Sequence, residues 1–276
     1  MRLRSLLFVP GDRPDRFEKA LASGADALIL DLEDSVTAER KGVAREAVAA
    51  FLKGSHDANI LVRVNPLDSQ WVADDARVAR AADGVVLPKA ESAASVAALA
   101  DLTGPDTPSV LPIATETPRA VFTLGDYGAV ADRLCGLTWG AEDLPAAIGA
   151  ATSRHDDGSY TDPYRMVRAL TLFGAHAAGV AAIETVYPAI KDPDGLGRYA
   201  AAGARDGFTG MMAIHPAQVE AINRAFTPAP EAVVAARAIV AAFAASPGAG
   251  ALQLDGRMVD APHLKQAKAL IARADG

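Results

Sequence analysis

Two acidic residues, Glu116 and Asp143, have the clearest potential for chemistry, because each ends a short apolar run that predicts a strand, and the two strands would be neighbours. Carboxylate oxygens are preferred ligands of hard divalent cations such as Mg²⁺, with water or substrate oxygens filling the remaining positions. The chain has one cysteine, Cys135, and no histidine–cysteine set with zinc spacing, which argues against a zinc site. The pattern therefore predicts that Glu116 and Asp143 hold Mg²⁺; a helix-capping or solvated role is the alternative.

An arginine, Arg63, lies in another apolar run, where a planar and permanently charged group is unusual. Its guanidinium is suited to binding a carboxylate through two parallel hydrogen bonds. A salt bridge to Asp31 or Glu33 is the alternative, and both roles are compatible. The cluster Asp31, Glu33 and Asp34 is open to two interpretations, a second set of metal ligands or a hydrogen-bonded rim that orients Arg63.

Weaker candidates complete the polar set. His215 follows an apolar run and is either a base or a packed core histidine, of which the second is favoured. Cys135 is expected to be inert and packed. Arg16 and Lys19 provide positive charge near a helix start, where a phosphate can bind, although such a basic face is usually only solvated. Neither GxxxxGK[ST] nor a GxGxxG that follows a strand is present.

The elements that must position these residues alternate along the chain. Alanine-rich segments of helical character separate eight short apolar runs, at residues 4–10, 26–33, 59–65, 84–89, 109–116, 134–143, 180–187 and 207–215. Such runs are typical of parallel strands buried on both faces, and strict alternation with helices predicts a (β/α)₈ TIM barrel. An open doubly wound sheet is the alternative. In a barrel, the carboxyl ends of the strands meet on one face, which would bring the polar candidates together.

The last fifty residues follow a different pattern. Residues 231–245 predict a helix, 246–250 a hinge, 252–260 a hairpin with Asp255-Gly256 at its turn, and 263–274 a second helix. We therefore expect a barrel over residues 1–226 and a C-terminal extension over 227–276. The extension is expected to act as a lid or as an arm that contacts a neighbouring subunit.

Composition limits the class of protein. The chain has 276 residues, 50% of them hydrophobic, and a formal net charge of -7. This length and apolar content support a large core and argue against disorder, and the acidic balance argues against nucleic acid as a partner. No signal peptide and no run of 18 apolar residues is recognisable, so the sequence predicts a cytoplasmic protein with no membrane partner.

A series of short motifs occurs in order along almost the whole chain. They are Arg4-Ser-Leu-Leu-Phe-Val-Pro-Gly11, Asp31-Leu-Glu-Asp-Ser-Val36, Arg63-Val-Asn65, Leu87-Pro-Lys89, Glu116-Thr117, Gly140-Ala-Glu-Asp143, Ile214-His-Pro216 and Asp255-Gly-Arg-Met-Val-Asp-Ala-Pro262. This set resembles the citrate lyase beta-subunit-like family of the HpcH/HpaI aldolase superfamily. Relatives of that family include malyl-CoA, citramalyl-CoA and citryl-CoA lyases.

The resemblance implies a Mg²⁺-dependent barrel enzyme that cleaves or forms a carbon–carbon bond in a 3-hydroxyacyl-CoA. It places the metal on Glu116 and Asp143, and substrate binding on Arg63 and Glu116, with Arg63 recognising the keto-acid carboxylate. It also makes Asp260 a catalytic acid or base, delivered from the lid of an adjacent subunit.

The resemblance further implies coenzyme A binding near Arg16 and Lys19, and assembly as a trimer or hexamer. The expected reaction gives acetyl-CoA plus glyoxylate or pyruvate. A malyl-CoA thioesterase and a citrate lyase beta subunit that releases oxaloacetate are the alternatives. A pyruvate aldolase that uses free acids and a non-enzymatic scaffold are less favoured. The sequence does not distinguish between the acyl-CoA substrates.

Overall fold

The computed structural model describes residues 1–104 and 107–275 of the chain. The chain forms two compact units, Met1–Asn223 and Arg224–Gly276. The sequence placed the boundary slightly later, after residue 226. The units are described separately below.

The first unit is a barrel of parallel strands. Its strands are β1 Ser5–Pro10, β2 Ala27–Asp31, β3 Asn59–Arg63, β4 Gly84–Leu87, β5 Ser109–Pro112, β6 Leu137–Thr138, β7 Ala182–Glu184 and β8 Gly210–Ala213. They are hydrogen-bonded in the order β5-β4-β3-β2-β1-β8-β7-β6. Isolated parallel bridges, Val110 to Leu134 and Ile113 to Thr138, connect β5 to the β6 side and nearly close the sheet. The predicted TIM barrel is confirmed.

Helices follow the strands as expected. They are α1 Phe17–Leu21, α2 Lys41–Phe51, α3 Val72–Ala79, α4 Ala93–Thr103, α5 Pro118–Val121, α6 Asp143–Ile148, α7 Asp162–Ala178, α8 Pro193–Asp206 and α9 Val219–Phe226. Short 3₁₀ helices are present at Pro14–Arg16, Ala38–Arg40, Leu124–Arg133 and Pro216–Gln218. The sequence did not predict the helical run at 124–133.

The sixth apolar run differs from its prediction. Only Leu137–Thr138 form a strand, and Asp143 begins helix α6 instead of ending the strand. An acidic residue is favourable at a helix N-terminus, and Pro145 fits the first turn because the N–H groups there have no partner within the helix. The predictions that Asp143 and Glu116 end strands are therefore wrong, since β5 already ends at Pro112. Both residues nevertheless lie beyond the carboxyl ends of their strands, on the same side of the barrel.

The barrel interior is filled by alternate residues of the strands. These include Leu6, Ile29, Leu61, Leu111, Ile113, Ile183 and Met212, which form one buried cluster. The intervening residues, such as Leu7, Leu28 and Leu30, are also almost fully buried, since helices cover the outer face. Burial on both faces explains why the strands read as continuous apolar runs. The filled interior forms the floor below the polar residues at the carboxyl ends of the strands.

The second unit contains α10 Pro230–Ala245, the strands β9 Ala251–Leu254 and β10 Arg257–Asp260, and α11 Ala261–Asp275. The strands pair antiparallel around Asp255 and Gly256, whose φ angles are 47° and 75°. Positive φ at both central positions defines the tight hairpin turn that Asp-Gly favours, so the predicted hairpin is confirmed. An ion pair of 2.9 Å between Arg237 and Asp275 links α10 to α11.

The stretch of residues 216–245 is long and apolar enough to cross a membrane by length and composition, with a mean hydropathy of 1.4, although residues 227–229 between α9 and α10 are not helical. Glu220, Arg224, Glu231 and Arg237 interrupt its apolar sequence. A single stretch of this kind is weak support for a membrane span, because helices of soluble proteins meet the same criterion.

Candidate active site

A cavity of about 840 Å³ opens at the carboxyl ends of the barrel strands. Its lining includes the residues predicted to bind metal, substrate or coenzyme A within the barrel unit: Arg16, Lys19, Arg63, Glu116 and Asp143. Residues that are far apart in the sequence therefore meet at one site, as the barrel topology requires.

Glu116 and Asp143 form the acidic part of the cavity. Glu116 follows β5 and is 4% exposed, and one of its carboxylate oxygens accepts a hydrogen bond from the main-chain N–H of Lys89. The Asp143 side chain is 36% exposed. Gly140 passes very close to Glu116, since a Cβ atom at position 140 would lie 2.7 Å from the Glu116 Cγ. Only glycine at 140 leaves room for this arrangement.

The environment of Glu116 disfavours its negative charge in the absence of a cation. Burial raises the pKa of Glu116 to about 8 against the opposing Lys89 hydrogen bond, and the nearby Asp143 and Glu33 carboxylates add to the increase. A buried carboxylate that faces other carboxylates is a suitable ligand for a divalent cation, which would remove the repulsion between them.

Arg63, the last residue of β3, is held firmly by an acidic partner. Its Nε and Nη2 each donate to Asp31 at 2.7 Å, and its guanidinium carbon lies 4.8 Å from the Phe8 ring centre. Burial lowers the pKa of Arg63, but Asp31 and Glu33 outweigh this and leave the pKa above its ordinary value. The salt bridge that the sequence offered as an alternative is present, and Arg63 also lines the cavity, so the two interpretations hold together.

The third nitrogen of the Arg63 guanidinium, Nη1, is not one of the two that donate to Asp31. Nη1 of Arg63 lies 2.9 Å from Glu33 Oε2. That oxygen is nevertheless buried without a hydrogen-bond partner, because the contact lacks hydrogen-bond geometry. The N–H groups of Nη1 therefore remain suitable for binding a ligand carboxylate.

Lys89 connects Glu33 to the acidic pair. Its Nζ lies 2.7 Å from Glu33 Oε1 and 3.6 Å from Asp143 Oδ1. The sequence placed Lys89 at a strand end but assigned it no role. Its position in a Leu-Pro-Lys motif after an apolar strand was the only available signal.

A second layer of polar residues supports this side of the site. The Lys41 Nζ donates to the carbonyl oxygens of Leu32 and Glu33 at 2.7 and 2.8 Å and to Asn65 Oδ1 at 2.8 Å. The buried Asp75 accepts from the main-chain and side-chain N–H groups of Asn65 at 2.9 and 2.6 Å. These contacts fix the backbone that carries Glu33. Sequence reasoning missed Lys41 and Asp75, because both lie on helices outside the strand-end motifs.

On the opposite side, Glu184 anchors the loop that leads to Asp143. Glu184 is fully buried and accepts from Trp139 Nε1 at 2.6 Å, Tyr199 OH at 2.8 Å and Arg168 Nε at 2.6 Å. Since several donors already satisfy this carboxylate, its role is to hold Trp139, which directly precedes Gly140.

The remaining barrel candidates differ in their surroundings. His215 is exposed, and its Nδ1 accepts from the Ala217 N–H at 3.2 Å, so the expectation of a packed core histidine is wrong. A histidine that follows the last strand can cap the next 3₁₀ helix instead. Cys135 packs against the barrel core, and burial raises the pKa of its thiol to about 12.

Asp260 belongs to the second unit, where it is the last residue of β10. Its Oδ1 lies 2.5 Å from His263 Nδ1. The hydrogen bond from His263 lowers the pKa of Asp260, which favours its carboxylate form.

The donor set fits a magnesium ion. Within residues 1–104 and 107–275, no group of three or more histidine, cysteine, aspartate or glutamate side chains has metal-site geometry. Mg²⁺ does not require such a cage, because it usually keeps several waters and binds one or two carboxylates. Glu116 and Asp143 are the residues that would hold it.

The sequence has clear relatives of known class. Residues 4–216 match the HpcH/HpaI aldolase/citrate lyase family. A citrate lyase subunit beta-like protein from Mycobacterium tuberculosis is 39% identical over 273 residues, which cover 97% of this chain and 94% of the relative. A (3S)-malyl-CoA thioesterase from Cereibacter sphaeroides is 36% identical over 282 residues, with 99% and 94% covered. An L-malyl-CoA/beta-methylmalyl-CoA lyase from the same species is 31% identical over 300 residues, with the same two shares covered.

Solved structures agree with these relatives. The protein CitE from Mycobacterium tuberculosis, crystallised with magnesium, acetoacetate and coenzyme A, is similar with a TM-score of 0.83 and 37% identity, and 99% of this chain and 100% of that chain are covered. A citrate lyase beta subunit from the same organism, complexed with oxaloacetate and magnesium, gives a TM-score of 0.73 at 38% identity over 82% and 98% of the two chains. The chain therefore belongs to the HpcH/HpaI aldolase/citrate lyase family of aldolases and lyases.

Proposed function

We propose that this protein is a Mg²⁺-dependent lyase that cleaves a short 3-hydroxyacyl-CoA, such as malyl-CoA or citramalyl-CoA, into acetyl-CoA and glyoxylate or pyruvate. The observation that carries the proposal is the meeting of Glu116, Asp143 and Arg63 at one cavity. A cation site beside an arginine suits a substrate that has a hydroxyl group next to a carboxylate. The magnesium and coenzyme A found with a solved relative support the same assignment.

Charge balance supports the metal. Apart from the solvent-exposed Asp34, which lies 4.0 Å from Arg63, four carboxylates are joined by ion pairs or close proximity to the cationic side chains of Arg63 and Lys89; they are those of Asp31, Glu33, Glu116 and Asp143. With all of these groups ionised, the cluster has a net charge of two negative units, which one divalent cation neutralises. When bound, Mg²⁺ would supply Lewis-acid stabilisation of the charge that develops on the substrate hydroxyl oxygen.

Arg63 would bind the carboxylate that becomes the carboxylate of the keto acid. Asp31 holds two of its nitrogens, so the guanidinium is oriented before substrate arrives and little conformational freedom is lost on binding. The cavity-facing side of Nη1 would then donate to the substrate carboxylate in a charge-assisted hydrogen bond.

Cleavage also requires two proton movements. The hydroxyl proton would pass to a water molecule in the open cavity as the carbon–carbon bond breaks, and the electron pair of that bond would form an acetyl-CoA enolate, which takes up a proton from an acid. We assign the second transfer to Asp260, as the family resemblance implies; in the cleavage direction its carboxylate would first take up a proton from water and then donate it to the enolate carbon. In the condensation direction its carboxylate, ionised beside His263, would remove the same proton from acetyl-CoA.

The anionic coenzyme must be accommodated by a protein with a net charge of -7. Arg16 and Lys19 line the same cavity and would offset this repulsion near the coenzyme A phosphates. The C-terminal unit would act as a lid that contacts an adjacent subunit in a homotrimer or hexamer in the cytoplasm.

The metal site can be tested by assaying purified protein with malyl-CoA, citramalyl-CoA and Mg²⁺ for keto-acid release. Glu116→Ala and Asp143→Ala should each abolish release, as should EDTA in the wild type, with activity returning on addition of Mg²⁺. Full activity in both variants would exclude this site.

A thioesterase is the second candidate, because a relative of that name is 36% identical over 99% of this chain. It would release free coenzyme A and the intact hydroxy acid without any keto acid. A citrate lyase beta subunit would instead form oxaloacetate from a citryl thioester, so the same assay with citryl-CoA distinguishes all three reactions.

A further inference from the structure

Lys89 contacts both acidic residues of the proposed metal site, through different parts of the residue. Its main-chain N–H donates to Glu116, and its Nζ lies 3.6 Å from Asp143 Oδ1. The same ammonium group donates to Glu33 Oε1 at 2.7 Å. Lys89 thus contacts three carboxylates, and all three belong to residues that are far from it in the sequence.

The backbone at Lys89 has an unusual conformation. Its φ angle is 50°, and the only other non-glycine residue with positive φ in the described chain is Asp255 of the hairpin turn. A left-handed conformation is unfavourable for a residue with a side chain, because Cβ then lies too close to the backbone. The surrounding contacts must outweigh this cost, so the placement of the Lys89 N–H and ammonium is a defined feature of the fold.

Glu33 is the acid that this ammonium restrains. Its carboxylate is 3% exposed, and Lys89 donates a hydrogen bond to Oε1, whereas Oε2 lies 2.9 Å from Arg63 Nη1 in an ion pair that lacks hydrogen-bond geometry. Glu33 is near enough to the acidic pair that its charge contributes to the raised pKa of Glu116. Without the ammonium, Glu33 would keep only its ion pair with Arg63, and Oε1 would be left without a donor beside the metal ligands.

We propose that Lys89 is a positioning residue that acts as an internal counter-ion: it restrains Glu33, keeps it out of the metal's coordination shell, and limits the affinity of the site for divalent cations. This inference rests on the proposed metal site at Glu116 and Asp143. Removal of the lysine should therefore increase the affinity of the site for the metal, although removal of a contact usually weakens a site. A merely structural lysine would, when removed, loosen the site and weaken binding.

The test is direct titration of metal-free protein with Mn²⁺, with free Mn²⁺ followed by electron paramagnetic resonance. Lys89→Met removes the charge and preserves the length of the side chain. Lys89→Gly also removes the charge but favours the positive φ and retains the main-chain N–H. Lys89→Arg preserves the charge. Lys53→Met makes the same chemical change at an exposed lysine after α2.

We expect the Mn²⁺ dissociation constant to fall by about tenfold or more in Lys89→Met and Lys89→Gly, because a cation no longer repels the metal at close range. Lys89→Arg and Lys53→Met should bind like the wild type. The increase in Tm on adding Mn²⁺ should also be larger in the two uncharged variants, since the metal then relieves more carboxylate repulsion.

The outcomes separate the two claims. If the wild type binds Mn²⁺ and the uncharged variants bind it equally or more weakly, the role of Lys89 is overturned while the lyase proposal stands. If the wild type binds no Mn²⁺, the metal site itself is overturned, and the role of Lys89 with it.

Discussion

A single methyl group at position 140 should disable the site. Gly140 follows Trp139 and faces Glu116 across the gap between β5 and β6. In Gly140→Ala, the new Cβ would lie 2.7 Å from Glu116 Cγ, 3.4 Å from Glu116 Cδ and 3.2 Å from Ile113 Cγ2. Its φ is not in the left-handed region, so alanine is compatible with the backbone and the steric clash is the dominant effect.

The magnitude follows from these contacts. Carbon atoms at optimal separation are about 3.5–4.0 Å apart, so Glu116 must move by roughly 1 Å. Overpacking of this kind costs about 1–3 kcal/mol of folding stability. The displaced carboxylate no longer meets Asp143 at the proposed metal position, and a 1 Å displacement in an active site can reduce the rate about 100-fold.

The assay combines urea unfolding, Mn²⁺ titration and kcat/KM for keto-acid release. The control is Gly42→Ala on α2, where a Cβ would meet nothing within 4 Å. That change should stabilise the protein by about 0.5–1 kcal/mol through helix propensity and leave activity unchanged. Gly140→Ala with wild-type metal affinity and wild-type kcat/KM would refute the reasoning, because it would show that the position of Glu116 is not critical.

Three further predictions concern Arg63, Trp139 and Cys135. Arg63→Lys should lower kcat/KM by about 100-fold or more, because an ammonium cannot keep both 2.7 Å bonds to Asp31 while binding a substrate carboxylate; near-normal kinetics would contradict the role of the guanidinium fork. Trp139→Phe removes the indole donor to the fully buried Glu184 and should cost about 1–3 kcal/mol in urea unfolding, whereas unchanged stability would show that the remaining donors, Tyr199 and Arg168, satisfy Glu184 without it. Cys135 should resist iodoacetamide at pH 8 in the folded protein and react in denaturant, because a pKa of about 12 leaves almost no thiolate at that pH; rapid labelling of folded protein would show that the thiol is accessible and ionised.

The barrel could be predicted from the sequence because strands that are buried on both faces consist mostly of apolar residues. Each interior strand reads as an apolar run, and helices separate the runs. Glu116 and Arg63 could be identified because a charge at the end of such a run is conspicuous. The hairpin turn could also be predicted from its Asp-Gly pair, since few residue pairs accept two successive positive φ angles.

Other parts of the site have no recognisable pattern in the sequence. The N-terminal position of Asp143 in α6 depends on where the short strand β6 stops, and two residues of strand are too few to give a pattern. Lys41 and Asp75 lie on helices, and only the fold brings them behind the Glu33 loop. The bridging role of Lys89 depends on a left-handed backbone that its residue type does not suggest. These features are products of tertiary contact, and local spacing does not encode them.

The most direct test of the account is product identification. Purified protein should be incubated with citramalyl-CoA and, separately, malyl-CoA in the presence of Mg²⁺, and the products should be quantified by NMR and mass spectrometry. A lyase of the proposed kind should give equimolar acetyl-CoA and keto acid, pyruvate or glyoxylate, from at least one of the two substrates. Free coenzyme A with the intact hydroxy acid and no keto acid, or unchanged substrate in both reactions, would contradict the proposed lyase activity.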